Sequence, residues 1–286
     1  MSAVRRKLSA AVSLAFTKYG ESGDLQRKPL VIAHGLFGQK QNWNSVSKAL
    51  QRRLGNQIFS VDMRNHGESP HVPTMEYEEM ALDLVKFIES VVLPSTSGKF
   101  SSVYLLGHSM GGKAAMSLAL SEEKKHLIDR LIVEDVSPNT MNKSSHSNFP
   151  HYIRAMKEAD LTQSRKLIGE YLAPIVTDLA TRQFLLTNLA PSNGESRLKW
   201  KLNLDAIEDF LSHITSTTLS TGTFEGRSLF QSGGRSDYIT PQDHPVILDL
   251  FPNAQFDVIP DAGHWVHAEQ PQLFMESLVR FIEADD

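Results

Sequence analysis

The sequence Val-Tyr-Leu-Leu-Gly-His-Ser-Met-Gly-Gly, at residues 103–112, decides the fold. A short apolar, strand-forming run leads into a Gly-x-Ser-x-Gly pattern and then into a helical stretch that begins at Lys113. In that setting Ser109 occupies a tight turn between strand and helix, and Gly107 and Gly111 avoid clashes as the turn closes. We therefore predict Ser109 as a nucleophile presented at the carboxyl edge of a sheet. The alternative is that its hydroxyl only caps the following helix.

On both sides of this stretch, short apolar runs alternate with longer helical patterns, which is typical of an α/β fold with a mostly parallel sheet. Helices are predicted at 76–92 and 271–282 from apolar residues spaced three and four apart. This alternation of strands and helices stops in the middle of the chain. We therefore predict a core domain of residues 12–137 and 223–286 that is interrupted by a helical cap at 138–222. Buried strands are predicted at 12–19, 30–33, 58–61, 103–106, 131–133, 228–233 and 254–260.

A serine hydroxyl is a poor nucleophile near neutral pH, so a base has to accept its proton and an acid has to orient that base. His264 is the predicted base, because it follows the last strand and keeps the chain order serine, acid, histidine. His267 lies three residues further on, but no further ligand sits at metal-binding spacing from this pair. We therefore predict no metal site.

The backbone N–H groups of Leu36 and Met110 are predicted to form an oxyanion hole. Leu36 lies in a glycine-flanked turn that follows a strand, and Met110 directly follows Ser109. Two N–H groups placed in this way can converge on the negative oxygen that develops during acyl transfer. The alternative for the first turn is a simple end of a strand.

The chain resembles an α/β-hydrolase over essentially its whole length. The resemblance rests on His34-Gly-Leu-Phe-Gly38, Val61-Asp-Met-Arg-Asn-His-Gly67-Glu-Ser-Pro70, Gly107-His-Ser-Met-Gly-Gly-Lys113, Asp135-Val-Ser-Pro138 and Ala262-Gly-His-Trp-Val-His267. These motifs are most similar to those of the group of abhydrolase domain-containing protein 11 and related small bacterial esterases. The resemblance implies a mostly parallel, eight-stranded sheet flanked by helices, with a helical cap. It also implies a serine ester hydrolase, with no cofactor, in which residues 62–70 brace the site.

Three aspartates compete for the role of the acid. Asp237 follows the next-to-last strand, where most hydrolases of this fold carry the acid. Asp135 follows an earlier strand, and the resemblance to the narrower group favours it, although that group often lacks an acid at the later position. Asp205 recurs in the animal members of the group, but a helix N-cap is the simpler role for it. We predict Asp135, with Asp237 and Asp205 as alternatives. Glu134 points to the opposite face if the strand continues to that residue.

Composition excludes several classes of function. The 286 residues contain 29 Lys and Arg against 33 Asp and Glu, a formal charge of −4, so there is no basic excess to neutralise nucleic-acid phosphates. The absence of cysteine excludes a thiol nucleophile, disulfides and thiolate metal sites. No stretch approaches the ~20 apolar residues that a transmembrane helix requires.

Residues 1–11 form a basic leader that contains Arg5, Arg6 and Lys7 and no acid. Such a composition is typical of an organellar transit peptide. The alternative is a short basic tail before the first predicted strand. Animal members of the group that the chain resembles are mitochondrial, so we expect an intracellular, mitochondrial protein, with the cytoplasm as the alternative location.

Together these features predict a serine hydrolase that cleaves an acyl ester or lipid through an acyl-enzyme. A thioesterase or an amidase would use the same residues, and a non-enzymatic binding protein on the same fold is the alternative from another class. The cap residues Phe149, Tyr152, Ile153 and Met156 form either an acyl pocket or the core of the cap itself. The sequence identifies no protein partner.

Overall fold

The computed structural model describes residues 9–21, 26–140, 146–192, 194 and 197–284. The strands are β1 (Phe16–Tyr19), β2 (Leu30–Ala33), β3 (Ile58–Val61), β4 (Val103–His108), β5 (Ile128–Glu134), β6 (Leu189–Pro191), β7 (Leu198–Trp200), β8 (Arg227–Gly233) and β9 (Ala254–Ile259). The α-helices are α1 (Asn44–Leu54), α2 (Tyr77–Phe87), α3 (Met110–Ala119), α4 (Phe149–Glu158), α5 (Arg165–Leu172), α6 (Leu179–Leu186), α7 (Leu204–Ser216), α8 (His244–Leu250), α9 (Val266–Glu269) and α10 (Pro271–Glu283). Short 3-10 or π turns occupy Lys40–Trp43, Ile88–Val92, Pro94–Thr96, Lys125–Leu127 and Pro241–Asp243.

The main sheet has the strand order β1-β3-β2-β4-β5-β8-β9. Only β1 runs antiparallel to its neighbour, and the other pairs are parallel. The predicted α/β class is therefore confirmed. The expected number of eight strands is corrected to seven over the described part of the chain.

The first strand is shorter than predicted. The predicted first strand at 12–19 begins only at Phe16. Ala15 O still accepts from the backbone N–H of Asp62, directly after β3, at 2.8 Å. Further towards the N-terminus the backbone bonds to side chains, because Val12 N–H donates to Asp83 Oδ1 at 2.7 Å and Ser9 N–H donates to Glu79 Oε1 at 2.7 Å. Both acceptors belong to α2, so residues 9–12 lie against that helix.

Two hydrophobic layers enclose the sheet, as the alternation of side chains along each strand requires. In β2, Val31 and Ala33 pack into the layer that includes α2, α3 and most of the 138–222 segment. Leu30 and Ile32 pack into the layer that includes α1 and α10. Strand β2 is therefore buried on both faces, which explains its continuous apolar sequence.

The segment between β5 and β8 contributes no strand to the main sheet in its described residues. It contains α4 to α7 and a small antiparallel pair of β6 and β7. The segment predicted as a helical cap therefore contains a small two-stranded sheet beside its helices. Helix α6 ends at Leu186, and Pro191 lacks the N–H group that a longer helix would need.

Parallel strands bring their carboxyl ends to one edge of the sheet. Ala33 of β2 pairs with Gly107 of β4, and Gly107 in turn pairs with Val133 of β5. The turns that follow these three strands carry Leu36, Ser109 and Asp135. None of the described helices is both long and apolar enough to cross a bilayer.

Candidate active site

Ser109 lies between β4 and α3 in a sharp turn with a positive φ of 52°. This conformation is rare for a residue with a side chain and costs of order 1–3 kcal/mol. Ser109 N–H donates to the carbonyl of Glu134 at 2.9 Å, and Ser109 O accepts from Lys113 N–H at 3.0 Å. The serine occupies the N-cap position of α3, but its side chain makes no capping hydrogen bond in the described structure. The alternative of a simple capping serine is therefore disfavoured.

Two glycines make this turn possible. A Cβ on Gly107 would lie 2.3 Å from the carbonyl oxygen of Gly111. A Cβ on Gly111 would lie 2.4 Å from the carbonyl oxygen of Ala33. Both neighbours are backbone atoms that cannot swing away, so any larger residue would move the turn that carries Ser109.

His264 lies in the loop after β9 and contacts Asp135, which directly follows β5. His264 Nδ1 and Asp135 Oδ2 are 2.7 Å apart, and the Asp135 side chain is fully buried. In the tautomer with the proton on Nδ1, this bond leaves Nε2 of His264 as the basic nitrogen. The His264 side chain is 20% exposed and stacks on the Tyr238 ring with centroids 3.8 Å apart.

The Asp135 carboxylate receives further hydrogen bonds. Ser236 Oγ donates to Oδ2 at 2.5 Å, and Gly233 N–H donates to Oδ1 at 3.2 Å. Burial raises the pKa of Asp135, whereas the hydrogen bonds from His264, Ser236 and Gly233 lower it. Sequence reasoning missed Ser236, whose only signal was its position in the loop after β8.

The other two candidate acids lie elsewhere. Asp237 is exposed, although it follows Ser236 directly. Asp205 lies in the first turn of α7 with its side chain 82% exposed, and its carboxylate pairs with Lys157 at 2.7 Å. The expectation that Asp205 caps a helix is wrong, because Asn203 is the N-cap of α7 and accepts from Ala206 N–H. Of the three acids, the structure brings Asp135 to His264.

Leu36 and Met110 occupy the positions that the predicted oxyanion hole requires. Met110 is the first residue of α3, so its N–H group has no partner within the helix. In the turn after β2, Phe37 N–H donates to His66 Nε2 and Gly38 N–H donates to Gly35 O. The N–H group of Leu36 has no acceptor among the described residues. The catalytic roles of Leu36 and Met110, like those of the triad, stay predictions.

Two buried histidines brace the loop that carries Leu36. His34 Nε2 accepts from Met63 N–H at 3.0 Å, and His66 Nε2 accepts from Phe37 N–H at 3.2 Å. Accepting nitrogens require neutral rings, and burial lowers the pKa of His66 to about 3. Asp62, at the start of the loop after β3, accepts from the backbone and the side chain of Lys40, both at 2.6 Å. These bonds agree with the bracing role that the resemblance implies for residues 62–70.

A second acid–histidine pair lies behind the first. His267 donates both N–H and Nδ1–H to Glu134 Oε1, at 2.9 and 2.7 Å, and Trp43 stacks on its ring at 4.0 Å. His108 Nε2–H donates to the carbonyl of His264 at 2.9 Å, and burial lowers the pKa of His108 to about 3. The position of His264 is therefore supported from the residue that precedes Ser109. Glu134 points away from His264, as predicted.

The same three side chains offer potential metal ligands. One donor atom each from His108, Glu134 and His267 lies within 4.8 Å of the others. However, Glu134 Oε1 already accepts two hydrogen bonds, and His108 Nε2 is bonded to the carbonyl of His264. These three side chains therefore take part in a hydrogen-bonded network, in which Glu134 Oε2 is buried and has no hydrogen-bond partner among the described residues.

Ser109 and His264 line one cavity of about 190 Å³. The described 138–222 segment supplies part of its wall, including Phe149, Tyr152 and Phe184. Of the four residues considered for an acyl pocket, Phe149 and Tyr152 line the cavity. The other two, Ile153 and Met156, are fully buried in the hydrophobic core.

Known proteins resemble this chain over most of its length. Residues 28–271 match the family model described as alpha/beta hydrolase fold. The sn-1-specific diacylglycerol lipase ABHD11 of Danio rerio is 41% identical over 97% of this chain and 84% of its own length. Esterase YbfF of Escherichia coli is 33% identical over 89% of this chain and 92% of its own length. The solved structure of a marine microorganism esterase is 36% identical, with a TM-score of 0.83 over 95% of this chain and 100% of its own. The chain therefore belongs to the α/β-hydrolase fold family.

Proposed function

We propose that this serine ester hydrolase cleaves a carboxylic ester with Ser109 as nucleophile, His264 as base and Asp135 as the orienting acid. The observation that carries the proposal is the Asp135–His264 contact at 2.7 Å, in a site where Ser109 and His264 line one cavity. An acid, an imidazole and an activated serine in this arrangement recur on unrelated folds that perform acyl transfer.

The reaction follows from the roles of these atoms. Ser109 Oγ adds to the ester carbonyl while its proton passes to His264 Nε2. The N–H groups of Leu36 and Met110 donate to the carbonyl oxygen as it becomes negative. His264 then returns the proton to the departing alcohol, and an acyl-enzyme remains. Water, deprotonated by His264, attacks this ester, His264 returns the proton to Ser109 Oγ as its bond to the acyl carbon breaks, and the carboxylic acid is released.

The proposed substrate is an ester with a short- to medium-chain acyl group. The cavity of about 190 Å³ is smaller than the roughly 300–1,000 Å³ of pockets that enclose drug-sized ligands. It suits a single acyl chain, and the alcohol part of a larger ester would extend outside. A diacylglycerol is the second candidate, since the 41%-identical relative is named as a diacylglycerol lipase.

The proposed division of the chain is a catalytic core of residues 12–137 and 223–286 with a cap of residues 138–222. The core supplies all three triad residues. Phe149, Tyr152 and Phe184 come from the cap and line the cavity, so this segment shapes the acyl site. Thioesters and amides remain alternative substrates because the same residues would cleave them.

The decisive experiment compares wild type with Ser109→Ala on p-nitrophenyl esters from acetyl to dodecanoyl, with a diacylglycerol, an acyl thioester and an amide in parallel. We expect ester hydrolysis to fall by at least about 10³-fold in the variant, because the triad acts as a unit. A fluorophosphonate probe should label wild type only. Equal ester hydrolysis by both proteins would refute the role of Ser109. Faster cleavage of the thioester or the amide would change the substrate class.

We further propose that the basic N-terminal residues direct the chain to mitochondria, as the family resemblance implies. Residues 1–8 of the leader expected at 1–11 lie outside the described structure, whereas residues 9–11 are described. Ser9 and Ala11 bond to the folded body, through Arg64 and Lys86 respectively. A removable leader would therefore end before Ser9. N-terminal sequencing of the protein recovered from mitochondria tests this, and a mature chain that begins beyond Ala11 would contradict it.

A further inference from the structure

Lys113 is a fully buried lysine that the proposed reaction does not use. It lies in the first turn of α3, and its backbone N–H donates to Ser109 O. No carboxylate among the described residues lies within ion-pair distance of its ammonium group. Nζ donates instead to two backbone carbonyls, that of Asn139 at 2.6 Å and that of Thr217 at 2.5 Å. A buried charge needs such partners, because leaving it unpaired would be costly.

The two acceptor carbonyls belong to opposite ends of the cap. Asn139 follows β5, where the chain leaves the core, and Thr217 follows α7, shortly before the chain returns to β8. These ends lie side by side, since Leu219 N–H donates to Pro138 O at 2.9 Å. The ammonium group of Lys113 therefore joins the entry and the exit of the cap to the helix that starts after Ser109.

The carboxyl end of α7 is well suited to a cation. The last carbonyls of a helix have no partner within it and carry the negative end of the helix dipole. Thr217 is the C-cap of α7, so its carbonyl is one of these groups. Tyr77 of α2 supports the same end, because its hydroxyl donates to Ile214 O at 2.8 Å and its ring centroid lies 5.9 Å from Lys113 Nζ.

We propose that Lys113 is a positioning residue that holds both ends of the cap against α3 and thereby limits the acyl chain length that the cavity accepts. Phe149 and Phe184 reach the cavity from cap helices that lie between the two tethered ends. Release of the ends lets these helices move outward and makes room for a longer chain. The proposal rests on the ester hydrolase activity assigned to Ser109.

The test measures kcat/KM for p-nitrophenyl butyrate and p-nitrophenyl dodecanoate in wild type and Lys113→Met. Methionine keeps the unbranched apolar stem and removes the donors and the charge. We expect the dodecanoate-to-butyrate ratio to rise at least tenfold, with butyrate turnover within threefold of wild type. Lys86→Met is the matched control, since Lys86 also donates to a backbone carbonyl, that of Ala11 at 3.1 Å, but contacts no cap residue among those described. Its ratio should equal that of wild type.

Tyr77→Phe provides a second test if Lys113→Met fails to fold, as judged by its thermal transition. This substitution removes only the hydroxyl that holds Ile214 O, and the same ratio should rise two- to fivefold. An unchanged ratio in the folded Lys113→Met protein, or in Tyr77→Phe where the first variant does not fold, would overturn the proposal. A uniform loss for both esters would also overturn it, because that result indicates a purely structural lysine. Wild type and Ser109→Ala run in the same assay report separately on the nucleophile.

Discussion

Replacement of Asp135 by asparagine tests the centre of the proposed mechanism. The carboxylate accepts from His264 Nδ1–H, Ser236 Oγ–H and Gly233 N–H, so three donors face its two oxygens. Asparagine has nearly the same shape, but one of its two polar ends is itself a donor. Where that NH₂ group faces His264, the ring must accept on Nδ1 and carry its proton on Nε2. That tautomer cannot take the proton of Ser109.

The size of the effect follows from the burial of the pair. Asp135 is fully buried and His264 is 20% exposed, so the imidazolium formed during the reaction has little water to replace the lost carboxylate. Breaking a buried ion pair by removing one partner costs about 3–5 kcal/mol. Since about 1.4 kcal/mol corresponds to a tenfold change in rate, kcat/KM should fall by about 10²–10⁴-fold.

The assay is hydrolysis of a p-nitrophenyl ester by Asp135→Asn, with Asp237→Asn and Asp205→Asn as matched controls. Both control side chains are exposed, so each variant should stay within about threefold of wild type. Thermal unfolding establishes that all three variants are folded. A loss below tenfold in Asp135→Asn, or an equal loss in Asp237→Asn, would refute the assignment of the acid.

Two further predictions concern the turn that carries Ser109 and the buried lysine. Gly107→Ala should lower the free energy of unfolding by about 3 kcal/mol in urea titrations, because its Cβ would lie 2.3 Å from a backbone oxygen. In the control Gly55→Ala, where φ is 71° and no atom lies within 4 Å, the loss should be only about 1 kcal/mol, and equal losses in the two variants would contradict the clash. Burial lowers the pKa of Lys113 from 10.5 to about 8, so between these pH values the unfolded chain binds more protons than the folded chain. The free energy of unfolding of wild type should therefore rise with pH by up to about 1.4 kcal/mol per pH unit relative to Lys113→Met, and a constant difference between the two proteins across pH 8–10 would contradict this.

Local sequence predicted the parts of the fold that depend on neighbouring residues. The strands Leu30–Ala33 and Ile58–Val61 have the expected bounds, because a strand buried on both faces leaves an uninterrupted apolar run. The position of Ser109 was equally predictable, since the strand, the turn and the helix around it follow each other directly in the chain. The start of the edge strand β1 was harder to predict, because the backbone at Ser9 and Val12 bonds to side chains of α2 instead of to a strand.

The groups that orient the site were beyond such reasoning, because their partners lie far away in the sequence. Ser236 reaches Asp135 across 101 residues, and Lys113 reaches Thr217 across 104. Two of the three candidate aspartates follow strands that lie close to β9, since β5 pairs with β8 and β8 pairs with β9. The side chains distinguish these two acids, because Asp135 is buried and contacts His264 whereas Asp237 is exposed. No local pattern encodes the strand order in space or the burial of these side chains.

Adjacent acids and nearby histidines form two pairs of the same chemical type, and burial distinguishes their roles. Glu134 and Asp135 point to opposite sides at the end of β5, so Asp135 meets His264 while Glu134 meets His267. His267 is covered by Trp43 and does not line the cavity, whereas His264 lines it together with Ser109. A proton acceptor has to reach its nucleophile, so only the outer pair can serve the reaction. The inner pair fixes the loop three residues beyond His264, because both the backbone N–H and the ring of His267 bond to Glu134.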